Sequence, residues 1–255
     1  MLVSIRQAIE TVAGSSLVGL YLFGSLSVGD FEVDVSDIDL IAVLADSPSE
    51  QLATRLSRMH EDLAEASPEW DDRIEVIYIS TQGLANCRTD NTTIAVISPG
   101  EPFHVVEAGR DWIFNWYPAR ENEVKLVGPP IDSVIPAILA AEYVEKARRS
   151  LVGFTNRIAD DAPPGAQAYA ILTMCRGLYE IRFGQLLSKR EAASWARQQF
   201  PQWADLIHRA LGWRQRQRHP DGQDGTATVS ETRSFVAEMA ELASGDPAVR
   251  GITPA

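Results

Sequence analysis

Cysteine is nearly missing from this chain: two residues, Cys87 and Cys175, among 255. They lie far apart and outside any Cys-x-x-Cys or Cys/His spacing, which excludes a disulfide framework and a zinc finger. Long apolar runs are missing too. No stretch reaches the roughly 18 consecutive apolar residues of a membrane-spanning helix, and Met1 to Glu10 lacks the basic start and apolar centre of a signal peptide. A cytoplasmic protein with reduced thiols is expected. Positive charge is scarce, with 23 Lys and Arg against 35 Asp and Glu and a formal net charge of -12. That balance disfavours nucleic acid and membrane lipid as partners and favours encounter with cationic small molecules. The four histidines, His60, His104, His208 and His219, share no ligand spacing, and no Gly-x-x-x-x-Gly-Lys-[Ser/Thr] loop occurs.

What is present is ordinary globular composition, 45% hydrophobic, arranged in two halves of different character. From Val18 to Ile79 the chain alternates β-rich runs (Leu17 to Phe23, Ile38 to Leu44, Ile74 to Ile79) with one amphipathic helix, the pattern of an α/β unit. The helix opens at Ser47-Pro48-Ser49-Glu50, read as a Ser47 cap, a first-turn proline and a glutamate three residues on, and it carries Leu52, Leu56, Met59 and Leu63 as its apolar stripe. After Leu126-Val127-Gly128-Pro129-Pro130 the sequence reads as helices alone: Ser133 to Ile158, Ala166 to Arg182, Ser188 to Phe200 and Ser230 to Ala243. Arg214 to Gly225 reads as a loop, and Gly245 to Ala255 as a loosely ordered tail. The expected organisation is an N-terminal α/β (α+β) domain with a mixed sheet, residues 1–132, followed by an all-α domain, residues 133–255.

The chemistry sits in Phe23-Gly24-Ser25 followed by Asp37-Ile38-Asp39 at the head of an apolar run. Residues two apart on a strand project to the same face, so Asp37 and Asp39 aim two carboxylates at one point. Unpaired, they would repel; a divalent cation resolves the conflict. Mg²⁺ is commonly held by one or two carboxylates plus substrate phosphates. Gly24 lets backbone N–H groups approach a phosphate, and Ser25 adds a hydroxyl donor. Glu75, between Ile74 and Val76, is a carboxylate inside an apolar strand and needs a partner. If its strand neighbours that of the aspartates, Glu75 completes a three-carboxylate cluster, able to hold a second metal or to act as general base on an attacking hydroxyl.

The Gly-Ser, Asp-x-Asp and later carboxylate set resembles the polymerase-β-like nucleotidyltransferases. Leu22-Phe23-Gly24-Ser25, Ser36-Asp37-Ile38-Asp39-Leu40, Leu172-Thr173-Met174-Cys175-Arg176 and Leu187-Ser188-Lys189-Arg190-Glu191-Ala192 together resemble the aminoglycoside 3''/9 adenylyltransferases that modify streptomycin and spectinomycin. The matches bracket residues 21–196. The resemblance implies Asp37, Asp39 and Glu75 as catalytic residues and Mg²⁺ ligands, with two ions, and Glu75 also activating the acceptor. It implies Gly24 and Ser25, together with Arg176 and Lys189 of the helical half, as contacts to ATP in a cleft between the domains. The acceptor would be a cationic hydroxyl compound, the role antibiotic resistance, and the protein a monomer.

Read without the resemblance, Arg176 is a helix-surface arginine able to pair with Glu180 four residues on. Lys189 follows Ser188 in a Ser-x-x-Glu capping box, where the helix dipole disfavours a cation unless an anion is near. Asp30, Glu32 and Asp34 read as a solvated acidic loop or a greeting for a cation. Trp112, Phe114, Trp116 and Tyr117 read as packing between the domains, and Arg214 to Arg218 as a solvated basic run. Family members that accept streptomycin carry a tryptophan and an acidic residue just before the helix containing Arg176. Here Asn156 to Gln167 has no tryptophan, Asp160 and Asp161 precede a Pro163-Pro164-Gly165 turn, and Ala166 or Gln167 stands where the acid is expected. That favours spectinomycin over streptomycin. Two further readings stand beside this one, a non-catalytic nucleotide-binding homologue and a transferase acting on another small molecule or on a protein hydroxyl.

Overall fold

The computed structural model describes the chain except for residues 88, 90, 110–111, 217–224 and 246–255. Its first part runs α1 (Leu2–Ala13), β1 (Leu17–Phe23), α2 (Gly24–Ser27), β2 (Ile38–Leu44), α3 (Glu50–Ala66), β3 (Ile74–Ser80), α4 (Thr81–Asn86), β4 (Thr92–Ser98), β5 (Glu101–Ala108), α5 (Ile113–Glu121) and β6 (Val124–Val127). The helical part follows as α6 (Ala140–Val152), α7 (Pro164–Phe183), α8 (Lys189–Gln199), α9 (Ala204–Gln215) and α10 (Thr226–Ser244). By density of contacts the chain divides into one unit of Met1–Phe31 with Ser36–Ile138 and another of Glu32–Val35 with Leu139–Ala255. No helix among the described residues is long and apolar enough to cross a membrane.

The sheet of the first unit has the order β5-β4-β3-β2-β1-β6. Only β2 and β3 run parallel. A parallel pair needs a crossover, which α3 supplies. Leu20, Leu22, Leu40, Ala42, Leu44, Val76 and Tyr78 form one face of the sheet and pack with Ile5 and Ile9 of α1 and Leu56 and Met59 of α3. Each buried aliphatic side chain there contributes about 1.5–3 kcal/mol. Because both faces of β2 and β3 are covered, these strands read as continuous apolar runs rather than alternating ones. The exception in each is its second residue, Asp39 in β2 and Glu75 in β3, which alone are not fully buried.

In the helical unit α7 packs against α6, α8, α9 and α10. Its Ala168, Ile171, Leu172, Met174, Cys175 and Leu178 form the middle of the core.

Several sequence expectations shift in position. The α3 cap is Ser49, whose side chain accepts from the Leu52 N–H at 3.2 Å, rather than Ser47. The expected helix from Ser133 to Ile158 is shorter: a single turn occupies Ile131–Ser133 and the α-helix covers only Ala140–Val152. Pro136 explains the break, since proline disfavours helical geometry in the residue before it and removes a donor. Pro164 and Gly165 do not form a separate turn but open α7, where proline's fixed φ is preorganised for the helix. The expected helices omit α9, and Arg214 and Gln215, assigned to a loop, form its last turn. The expected loop at 217–224 and most of the expected tail lie outside the described residues.

Candidate active site

Strand register settles which face each carboxylate occupies. Asp39 pairs with Phe23 of β1 on one side and with Glu75 of β3 on the other. Register partners on adjacent strands point to the same side of a sheet. Asp39 and Glu75 therefore share a face, opposite the one that packs on α1 and α3. Asp37 lies two residues ahead of Asp39, at the mouth of β2. It acts electrostatically on Glu75, whose carboxyl is pushed from its ordinary 4.5 to about 7, first by burial, then by Asp37, then by Glu101. A carboxyl titrating near neutrality can exchange a proton there. Glu101 begins the edge strand β5, a place where sequence alone gives no reason to look.

Gly24 follows β1 directly and has φ +68. A Cβ at this position would lie 1.8 Å from Asp39 Oδ2. Glycine is thus required twice, for a backbone conformation that side chains resist and for the space the Asp39 carboxylate occupies. Ser25 follows in the short helix α2, half-buried. The Ser36–Asp37 backbone is pinned from below by Arg73, a residue that no local sequence pattern marks. Its Nη2 donates to the Ser36 carbonyl at 2.7 Å, and its own carbonyl accepts from Ile38 N–H at 2.9 Å. The buried guanidinium lies over the Trp70 ring at 4.4 Å.

The donor set is chemically suited to Mg²⁺, being made of hard carboxylate oxygens on one sheet face beside a glycine turn with no room for a Cβ. It is not a closed cage: among the described residues no three His, Cys, Asp or Glu side chains stand together so as to hold an ion by themselves. A site of this kind depends on further oxygens from a phosphate-bearing substrate.

In the helical unit the Ser188 capping box forms as expected, with Glu191 N–H donating to Ser188 Oγ and Ser188 N–H donating to Glu191 Oε2, each at 3.1 Å. Lys189 is the first residue of α8, and its ammonium lies 4.8 Å from the Tyr169 ring centre. Arg176 does pair with Glu180, Nε to Oε1 at 3.6 Å. Of the acidic loop, Glu32 is not simply solvated: it meets Arg190 at 2.8 Å and Arg214 at 3.6 Å. Arg214, read from sequence as a solvated basic residue, has a side chain only 12% exposed. Asp160 pairs with Arg233 at 2.7 Å. Gln167 is fully buried and donates to the carbonyls of Ala162 and Gly225 while accepting from Thr228 and Thr232. Trp112 and Trp116 stack on each other, and α5, which carries Trp116 and Tyr117 buried, packs on β1.

Comparison with known proteins bears on the family and the fold. Residues 4–90 match the family described as nucleotidyltransferase domain, and residues 133–240 match the family described as aminoglycoside adenylyltransferase, C-terminal domain. The chain is an aminoglycoside adenylyltransferase-like nucleotidyltransferase. This nucleotidyltransferase is 25% identical over 216 residues to spectinomycin 9-adenylyltransferase of Staphylococcus aureus, covering 75% of this chain and 77% of that protein. Its fold resembles a spectinomycin adenyltransferase of Enterococcus faecialis solved with ATP and spectinomycin. The two share a TM-score of 0.72 and 16% identity over 94% of this chain and 98% of the other. The mixed sheet of the nucleotidyltransferase and its separate helical region fit that fold.

Proposed function

We propose that this enzyme transfers AMP from ATP to a hydroxyl of an aminocyclitol, spectinomycin in preference to streptomycin, releasing pyrophosphate. The observation that carries the reading is the pairing of Asp39 with Glu75 in register on adjacent strands, with Gly24 closed against the Asp39 carboxylate. The nucleotidyltransferase domain is taken as residues 1–132 and the helical domain as residues 133–255.

Asp37, Asp39 and Glu75 would hold Mg²⁺, two ions in the family's manner, and the bound metal supplies charge neutralisation for the triphosphate. The chain's own groups do the rest. Gly24 and Ser25 would receive a phosphate of ATP, and Arg176 and Lys189 are the cationic residues of the helical domain proposed to bind ATP. Glu75 is the group placed to receive a proton. It takes that proton from the acceptor hydroxyl as the hydroxyl oxygen bonds to the α-phosphorus; the bond from the α-phosphorus to the bridging oxygen breaks, and pyrophosphate leaves with that electron pair. Spectinomycin is favoured because Asn156 to Gln167 carries no tryptophan and the buried Gln167, an amide held in a hydrogen-bond hub, stands where an acid is expected. The net charge of -12 suits a cationic acceptor and a cytoplasmic monomer that binds neither nucleic acid nor membrane.

Incubating the purified protein with ATP labelled at the α-phosphate, Mg²⁺ and a panel of aminocyclitols tests the reading. Label should appear on spectinomycin with matching pyrophosphate release and stay off streptomycin. Failure to label any aminocyclitol would sink the acceptor class, and labelling of streptomycin at an equal rate would sink the preference.

A further inference from the structure

Glu180 is an acid in the wrong place for an ordinary helix ion pair. It lies one turn beyond Arg176 on α7, with the arginine preceding the glutamate, the order that does least for a helix. An exposed pair of this kind contributes little, whereas burying a carboxylate costs more than such a pair returns unless it is paired and hydrogen-bonded. Here the glutamate side chain is 7% exposed and the arginine side chain 41%. The acid is inside and the base faces outward. Both glutamate oxygens are engaged: Oε1 lies 3.6 Å from Arg176 Nε, and Oε2 accepts from the Tyr143 hydroxyl of α6 at 3.0 Å. Tyr143 is itself buried. Burial pushes the Glu180 carboxyl up, while Arg176 and the Tyr143 hydroxyl pull it back towards ionisation.

A guanidinium has five N–H donors in a rigid fork. Glu180 occupies the Nε side, and among the described residues Arg176 makes no other ion pair. The four Nη donors thus remain for an anion, held in a plane set by a carboxylate that Tyr143 prevents from turning.

We propose that Glu180, braced by Tyr143, positions the Arg176 guanidinium for the triphosphate of ATP. This rests on the nucleotidyltransfer reading above. Glu180 and Tyr143 act through Arg176 and touch no substrate. Neutralising Glu180 leaves no buried charge unpaired, because the arginine that loses its partner is 41% exposed.

The test is a double-mutant cycle on the full-length enzyme, reading the dissociation constant of Mg²⁺-ATP by calorimetry, the KM of the acceptor, and Tm. Glu180→Gln keeps the shape and an acceptor for Tyr143 but removes the charge. It should weaken ATP about tenfold, leave the acceptor KM unchanged and leave Tm at or above the parent value. Tyr143→Phe, which keeps the core filled, should weaken ATP about threefold and serves if Glu180→Gln does not fold. In an Arg176→Ala background neither change should weaken ATP further. Equal weakening with and without Arg176, or no weakening where Arg176→Ala alone weakens binding, overturns the positioning role. If the parent protein does not bind Mg²⁺-ATP, the nucleotidyltransfer reading fails and takes this proposal with it.

Discussion

Replacing Gly24 by alanine separates two demands that the fold makes on one residue. The first is conformational: φ is +68, and a residue with a Cβ pays about 1–2 kcal/mol to adopt it. The second is steric: the new methyl would start 1.8 Å from Asp39 Oδ2 and 2.5 Å from Asp39 Cγ, where real Cβ contacts do not come under 3.0 Å. The Asp39 carboxylate, not the backbone, is the easier part to move, so it would be displaced by more than an ångström. A displacement of that size at a reacting centre costs on the order of 10²-fold in rate. Gly29 supplies the control. Its φ is +73, and nothing lies within 4 Å of a Cβ built on it. Gly29→Ala should lose the same 1–2 kcal/mol in urea denaturation and keep transfer activity within about twofold, whereas Gly24→Ala should lose that stability and about 10²-fold in kcat/KM. If the two variants are equally active, Asp39 is not held where the reaction needs it and the reasoning fails.

His60 and Gln167 give two stability tests. The His60 ring nitrogen Nε2 shares a 2.8 Å hydrogen bond with the Tyr78 hydroxyl in the core, and burial lowers its pKa from 6.5 to about 4. The unfolded chain therefore takes up a proton first as pH falls: the stability tied to neutral His60 is fully present above pH 6.5 and is lost on the way to pH 4. At about 1.4 kcal/mol per pH unit the loss is about 3 kcal/mol. Urea denaturation across this window should show a steep acid limb that His60→Leu flattens; parallel curves would refute the assignment. Gln167→Ala removes four hydrogen bonds at one buried site and strips the Ala162 carbonyl and the Thr232 hydroxyl of their Gln167 partner, while Gly225 and Thr228 keep the bonds between them. It should destabilise the protein by about 3 kcal/mol in the same assay, and a loss below about 1 kcal/mol would mean that water replaces the amide.

The part of the site carried by strand interiors was legible in the sequence because a charge inside an apolar run has few explanations. Asp39 and Glu75 are such charges, and the runs around them became β2 and β3 with the expected extents, β3 reaching one residue further. That these strands are neighbours was a condition, not a deduction, and the parallel register supplies it. Strands β4, β5 and β6 escaped notice for physical reasons. The edge strand β5 is half exposed and contains Pro102, and β6 is only four residues long. Residues whose partners are remote were misread or unread. Arg73 acts on Ser36, Glu32 on Arg190 and Arg214, and Gln167 on Gly225, Thr228 and Thr232, in each case through contacts that no local pattern encodes. The α9 helix is a different failure, because Leu206, Ile207, Ala210 and Trp213 already repeat at helical spacing.

The direct measurement is a comparison of Glu75→Gln with the parent enzyme, using calorimetry with Mg²⁺-ATP and single-turnover transfer of α-labelled AMP to spectinomycin. The amide keeps the size of the side chain and one oxygen donor, leaves the carboxylates of Asp37 and Asp39 for the metal, and removes the capacity to take a proton, so ATP binding should stay within about threefold while transfer falls by 10²–10⁴-fold, roughly the range for loss of a general base. Near-normal transfer by Glu75→Gln would contradict the account.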